Sequence, residues 1–381
     1  LTSPDIWLLS KLQKLIQKIT EKNQTCKFHE GAKAIDDFII NNLSQIYIPI
    51  TRGELWDESE EKKNRRLAIY AVLNKVLKTL DILIHPFCPY TSEHLYQTVF
   101  EGKQSILLDK WPQYQESLVN EEIEESFDIM KDVVSISSAA RMKGKLKRRW
   151  PLNEAQICVK KNQKIKLESL SSLLKSQLNV EKFNIVETEM EEGLEQLLEL
   201  KELGLPVKST LELERKKIGP KVKQHMGKVV SMFSETNPDE IISSIQKDGK
   251  YDFKIDSEII SLDKEDFIVN FDSKEDFAVA KRDGFVVFIS TSRNKEMMAK
   301  GLVKDIARRL QTLRKERGYN PTDVLDVASI LELDIESLEM IKERKEELAF
   351  LVRVKKVDFE KSCKEYKDDD IDGQKIKISV E

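Results

Sequence analysis

The side chains with the most concentrated chemistry in this chain are basic. Arg141 to Leu152 reads R-M-K-G-K-L-K-R-R-W-P-L, with six cationic side chains in nine positions ahead of a Trp-Pro stop. Guanidinium groups grip phosphate oxygens in pairs, whereas ammonium groups act as point charges. Arg148 and Arg149 could therefore fork onto phosphates, while Lys143, Lys145 and Lys147, alternating along an extended backbone, would point to one side. A nucleic-acid backbone suits that arrangement, although a solvated linker rich in Lys and Arg reads the same from charge alone. A second basic run, Arg215 to Lys223 (R-K-K-I-G-P-K-V-K), reads as a loop that could cradle phosphate or merely turn.

Other chemistry finds little support. His85 precedes Pro86 at a helix end and His94 follows one turn into the next helix, which fits capping or packing better than catalysis. Carboxylates such as Glu93 and Asp132 show no paired arrangement, and none is assigned an acid or base role. Cys26, Cys88, Cys158 and Cys363 lie far apart without CxxC spacing, which disfavours a zinc ribbon and a disulfide framework and fits a reducing cytoplasm. The expectation is thus no catalytic residue, no bound cofactor and no metal in this chain.

The elements that would position the basic groups follow from length and periodicity. A chain of 381 residues, 40% apolar, supports two or three domains, each with a core. The net charge of −4 means that any contact with nucleic acid must come from local patches. No apolar run approaches 18 residues and no basic-then-apolar leader opens the chain, so neither a membrane span nor a signal peptide is expected. The opening Leu1-Thr2-Ser3-Pro4 lacks Met and is read as the start of the C-terminal portion of something longer.

Residues 1–150 read as a helical bundle. Ser3 is the expected cap of the first helix and Pro4 its first helical residue, with Ile6, Leu9, Leu12, Ile16 and Ile19 on one face. Ala32, Ile35, Ile39, Leu43 and Ile46 mark a second helix. Leu67 to Ile84, apolar nearly all round, should be a central third. His85-Pro86-Phe87-Cys88-Pro89 ends it. A short helix from about Thr91 to Phe100, an extended Ser105 to Trp111 and a helix from Glu121 to Ala140 follow.

Residues 151–205 read as a small β-α-β module, with strands Gln156 to Val159 and Phe183 to Glu187 around a helical Leu167 to Gln177. Residues 206–381 form an α+β extension. It contains a strand at Asp266 to Asn270, a hairpin from Phe277 to Ser290 turning at Arg282-Asp283-Gly284, and later strands at Val324 to Leu331 and Ile376 to Val380. Its helix Gly301 to Arg317 should bury Leu302, Ile306, Leu310 and Leu313. Lys304, Arg308, Arg309, Arg314, Lys315 and Arg317 then lie on a basic outer surface, either solvated or in part touching phosphate.

Several stretches together resemble isoleucyl-tRNA synthetase: W-L-L-S-K-L from Trp7, the run Ile35 to Trp56, H-P-F-C-P-Y-T-S-E-H-L-Y-Q from His85, S-I-L-L-D-K-W-P from Ser105, and A-R-x7-R-x-P-L from Ala140 to Leu152. G-L-V-K-D-I-A-R-R-L-Q-T-L-R-K-E-R-G-Y, from Gly301 to Tyr319, is similar to the C-terminal extension of the same enzyme and less so to its valyl and leucyl relatives. The resemblance covers nearly the whole chain. It implies a helical bundle, the class Ia anticodon-binding domain, followed by α+β C-terminal modules, as a monomeric cytoplasmic protein whose partner is tRNA(Ile).

In the intact enzyme this family joins isoleucine to tRNA using ATP and magnesium and edits mischarged valine. The H-x-G-H and K-M-S-K-S elements that hold ATP are missing here. Arg141-Met142-Lys143-Gly144-Lys145 mimics the second only superficially, so this chain alone is predicted to be inactive in charging. Some synthetases bind zinc through cysteines of the extension, but here only Cys363 lies beyond Cys158. Within the resemblance, Arg52 and Trp56 become candidates for contact with unstacked anticodon bases, with Arg65 and Arg66 beside them. Arg141, Lys143, Lys145, Lys147, Arg148, Arg149 and Trp150 are the phosphate-contact candidates. The alternatives are a free-standing RNA-binding or scaffold protein derived from a synthetase, and the valyl or leucyl relative.

Overall fold

The computed structural model describes all residues except 58, 101–103, 190–192, 256–257 and 372. Its chain divides into two compact units, Leu1–Asp132 with Ile165–Gln177, and Val133–Lys164 with Leu178–Glu381.

The first unit is helical. Helix α1 (Ser3–Gln24) starts one residue earlier than expected, with Thr2 as its cap and Pro4 in the first turn. The backbone N–H of Thr2 donates to the Asp5 carboxylate at 2.7 Å, closing a capping box. The expected second helix is three elements: α2 (Phe28–Asp37), a π-helical stretch at Phe38–Tyr47, and α3 (Ile48–Trp56). Its buried apolar side chains are Ala34, Ile35, Phe38, Leu43 and Tyr47. The step from Phe38 to Leu43 is five residues, and π-type bonding brings that spacing onto one face. A regular 3.6-residue period over Ala32, Ile39 and Ile46 therefore does not hold, and those three are only partly buried.

Helix α4 (Lys63–Ile84) buries Ile69, Val72, Val76, Leu80 and Leu83. It is not apolar-covered all round as expected, since Leu67, Tyr70 and Leu77 face solvent. After the His85 to Pro89 break comes α5 (Pro89–Thr98). The expected extended run Ser105 to Trp111 contains one 3-10 turn, Ile106–Leu108. The irregular chain beyond it is laid along α1 by three hydrogen bonds. Trp111 Nε1 donates to Thr20 Oγ1 (2.9 Å), the Gln115 N–H to Gln13 Oε1 (2.9 Å) and the Asn120 N–H to Ser10 Oγ (2.8 Å). Helix α6 (Glu121–Lys143) follows, and its Phe127 stacks on Trp7 with ring centroids 4.8 Å apart. Each such fully buried side chain contributes about 2 kcal/mol of transfer free energy.

The second unit is α+β. Strands β1 (Leu152–Val159) and β2 (Val180–Glu187) flank helices α7 (Lys161–Glu168) and α8 (Ser171–Leu178) in sequence. They pair in parallel with Ile157 opposite Ile185, the β-α-β connection read from sequence. Next come α9 (Leu194–Glu202), β3 (Val207–Leu213), α10 (Arg215–Val222), α11 (Met226–Glu235), α12 (Pro238–Asp248), β4 (Lys250–Ile255), β5 (Glu258–Asp263) and β6 (Phe267–Ser273). Then follow β7 (Phe277–Arg282), β8 (Phe285–Ser290), α13 (Lys295–Glu316), β9 (Leu325–Leu331), α14 (Ile335–Lys342), α15 (Lys345–Val352), β10 (Val354–Asp358), β11 (Lys367–Ile371) and β12 (Gln374–Val380).

One sheet has the order β2-β1-β8-β7, so the strands of residues 151–205 share a sheet with strands from beyond residue 206. The hairpin β7-β8 turns where expected, with Arg282 opposite Phe285 and both Asp283 and Gly284 in the left-handed region. That two-residue left-handed turn matches the natural strand twist. A second sheet, β10-β9-β12-β11, packs against α13, α14 and α15 through Ile306, Leu310, Ile330, Ile341, Leu348 and Ile378. The basic run Arg215 to Lys223, expected as a loop, is mostly helix α10. Its Lys221 ammonium pairs with Asp263 (2.8 Å) and Asp266 (2.5 Å), and Lys217 with Glu265 (3.3 Å), so much of its charge is neutralised locally.

Candidate nucleic-acid interface

Two clusters of basic and aromatic groups stand out, one in each unit. In the first, the organising group is Asp5, fully buried near the start of α1. Its carboxylate accepts from Tyr47 Oη at 2.8 Å, from the Thr2 N–H, and from the Arg65 guanidinium at 2.5 Å and 3.3 Å. Burial alone would raise its pKa, but the hydrogen bonds from Arg65, Thr2 and Tyr47 outweigh that and hold it below the usual carboxylate range. The Tyr47 hydroxyl is pushed well above its ordinary value by burial and by the neighbouring carboxylate. Arg65 also donates to Glu54 at 3.0 Å.

Arg65, expected to face RNA, is therefore a clamp between α1 and α3, its charge spent on Asp5 and Glu54. Arg66 donates to the backbone carbonyl of Asp57 and fixes the end of α3. What remains exposed there is Arg52 and, four residues on along the same helix face, Trp56 at 45% exposure. Tyr70, on the solvent side of α4, is a further exposed aromatic.

In the second unit the R-M-K-G-K-L-K-R-R-W segment is not extended. Arg141 and Lys143 close α6, Lys145 sits at a left-handed φ of 53°, and Leu146 is buried. The three lysines therefore do not alternate on one side. Arg141, expected at the phosphate surface, is 4% exposed. It donates to the carbonyls of Lys147 (3.1 Å), Trp150 (2.9 Å), Leu178 (2.8 Å) and Asn179 (3.2 Å). Burial lowers its pKa to about 10, with Arg148 and Arg293 adding repulsion, so it is still charged at neutral pH. Its fan of Nη donors shapes the turn from within, and at 4% exposure the side chain is not presented to a phosphate.

Trp150 is likewise interior. Its ring lies so close to α13 that a Cβ on Gly301 would come within 2.5 Å of it. Its Nε1 donates to Asp305 at 2.8 Å, and Lys147 (3.1 Å) and Arg149 (3.3 Å) pair with the same carboxylate. Asp305 is 2% exposed, and burial works to raise its pKa, but the hydrogen bonds from Trp150 and Lys147 and the charges of Lys147 and Arg309 hold it below the usual range. The turn is thus bolted to α13. Lys143, Lys145 and Arg148 are exposed, as are the side chains of Lys147 and Arg149 beyond their pairing with Asp305. Sequence reasoning named Arg308 and Arg309 only as one helix surface; no local signal joins them to Arg148 more than 150 positions earlier.

The segment that superficially mimics K-M-S-K-S has Arg141 committed to carbonyls. His85 Nδ1 is engaged with Ser92 Oγ at 2.8 Å and His225 with Glu258 at 3.2 Å. Among the described residues no three His, Cys, Asp or Glu side chains converge as metal ligands. No helix among them is long and apolar enough to cross a membrane.

Residues 5–157 match the family described as anticodon-binding domain of tRNA ligase. The relatives of the whole chain are more particular. It is 29% identical over 84% of its length to an isoleucine–tRNA ligase of Sulfolobus acidocaldarius, 30% over 99% to one of Methanocella arvoryzae, and 28% over 94% to one of Pyrococcus furiosus. The resemblance to isoleucyl-tRNA synthetase is thereby borne out. The chain spans about a third of the length of these relatives, 29%, 34% and 32% respectively.

Proposed function

We propose that this chain is the tRNA-recognition portion of an isoleucine–tRNA ligase, reading the anticodon of tRNA(Ile) with the exposed corner of its helical unit. The observation that carries this is the match of residues 5–157 to the anticodon-binding domain, inside a likeness to isoleucine–tRNA ligases that runs on through the α+β unit. The bundle supports it physically. A rigid scaffold, pinned by the Asp5 network, presents Arg52 and Trp56, and single-stranded loops expose base faces and edges to such groups. Activation of isoleucine with ATP and magnesium belongs, in this reading, to the remainder of the enzyme. The protein acts as a monomer in the cytoplasm.

The test is the affinity of the purified chain for tRNA(Ile) and for the same tRNA with a changed anticodon, at two salt concentrations. A preference for the native anticodon supports recognition by this chain. Equal affinity for both removes it. Isoleucine-dependent exchange between ATP and pyrophosphate should be absent, and its presence would overturn the assignment of chemistry elsewhere.

A further inference from the structure

The turn bolted to α13 borders a cleft of about 630 Å³ whose lining includes Lys147, Arg148, Arg149, Arg308 and Arg309, with Asp305 and Asp369 as the carboxylates. Five cations against two carboxylates leave the cleft strongly positive on a protein of net charge −4. The two carboxylates are already spoken for. Asp305 holds Lys147, Arg149 and the Trp150 indole, while Asp369 accepts from Arg309 at 3.3 Å. Arg309 also donates to the Asp370 carbonyl. Arg148 and Arg308, both exposed, have no carboxylate partner among the described residues and line the same cleft from the turn and from the helix.

We propose that this cleft is a binding site for a backbone phosphate of the bound RNA, gripped by Arg148 and Arg308, with Lys147 and Arg149 adding charge from its wall. The inference rests on the reading of the chain as an RNA-recognition module and adds a site outside the helical unit. Two guanidiniums lining one cleft, from the turn and from the helix, can each offer a two-pronged donor to one phosphodiester, which a single lysine cannot. Their separation is fixed by helix α13 and by a turn whose carbonyls are occupied by Arg141 and Asn179, so little ordering is left to occur on binding. A phosphate contact carries no base information, so this site should tighten binding uniformly and leave the choice of anticodon alone.

The experiment compares the full chain with Arg148→Ala/Arg308→Ala and with a control that removes two exposed lysines elsewhere, Lys342→Ala/Lys361→Ala, after thermal unfolding shows all three folded. Affinity for tRNA(Ile) and for its changed-anticodon form is measured from low to moderate salt. The arginine variant should bind both RNAs about tenfold more weakly. Its slope of log affinity against log salt should be shallower by roughly 0.7 to 0.9, as for one lost phosphate contact, with the ratio between the two RNAs unchanged. The control should keep the parent slope. An arginine variant with the parent slope overturns the cleft while leaving anticodon recognition intact. A parent chain that binds neither RNA overturns both. Inorganic phosphate and ATP serve as the small-ligand arm. Tight saturable binding of either, lost in the arginine variant without loss of RNA affinity, would reassign the cleft to a free phosphate ligand and overturn the proposal.

Discussion

Asp305 and Trp150 show how single side chains decide what the basic segment can do. A carboxylate 2% exposed and shared by an indole, an ammonium and a guanidinium is worth more than its surface pairs suggest, because removing it strips the buried Trp150 Nε1 donor of its acceptor and the turn of its tie to α13. Asp305→Ala is therefore expected to cost about 3 kcal/mol, measured by denaturant unfolding. Gly301→Ala should cost about 1 to 3 kcal/mol for a different reason, since its new Cβ meets the Trp150 ring at 2.5 Å on a helix backbone that cannot retreat. Asp81 supplies a pH-dependent case. It is 4% exposed, has an unpaired Oδ2 in the last turn of α4, and burial with help from Glu93 raises its pKa to about 6 from an ordinary 3.8. The folded state then holds the proton more tightly than the unfolded state between these values, so stability falls as pH rises from about 4 to 6 and stays low above. Asp81→Asn should stabilise the protein by up to about 3 kcal/mol at pH 7.5 and by almost nothing at pH 4, as read from unfolding curves at the two pH values. An equal gain at both would mean that the carboxylate charge is not the cause.

At the scale of elements, the pattern of apolar residues made most helices and the β7-β8 hairpin legible, because burial on one face repeats at the period of the element. It failed where a contact outside the element set the geometry. The break in period between Phe38 and Leu43 lies in the π-helical stretch that ends at Tyr47, whose hydroxyl bonds to Asp5 on α1, and no local propensity encodes that partner. The Arg141 to Trp150 segment failed similarly. Its charges read as surface, yet a guanidinium with four carbonyls around it is an internal scaffold, and those carbonyls come partly from Leu178 and Asn179, far along the chain. Of the sequence-derived site, Arg52, Trp56, Lys143, Lys145 and Arg148 are exposed as expected, and Lys147 and Arg149 are exposed but shared with Asp305. Arg65, Arg141 and Trp150 are structural. The Asp5 network ties α1, the π-helical stretch, α3 and α4 together, so Arg65→Ala should destabilise the helical unit by about 3 kcal/mol by stranding a buried carboxylate. Tyr47→Phe, which removes one of several donors, should cost about 1 kcal/mol. A smaller effect for Arg65→Ala than for Tyr47→Phe, measured by chemical denaturation, would place the organising contact elsewhere.

At the scale of the molecule, an acidic chain that binds a polyanion must separate attraction from selection. Net charge works against capture, so affinity has to come from patches where cations outnumber nearby carboxylates, and selection from groups that meet bases. In the proposed reading the corner of α3 would meet the second requirement, with an exposed indole and a guanidinium four residues apart, held by a helix end that Arg65 and Arg66 fasten. Stacking of a base on such a ring is worth about 1 to 3 kcal/mol, roughly five- to a hundredfold in affinity, and it hardly depends on salt. Arg52→Ala/Trp56→Ala is accordingly expected to weaken binding of tRNA(Ile) by about tenfold or more and to change binding of the altered-anticodon RNA much less, collapsing the ratio between them. The slope against salt should fall by less than one, for the single cation removed. Titrations of both RNAs at two salt concentrations check this directly. Equal losses on the two RNAs would show that the corner contributes general affinity, and that discrimination between anticodons is carried by other side chains of the bundle.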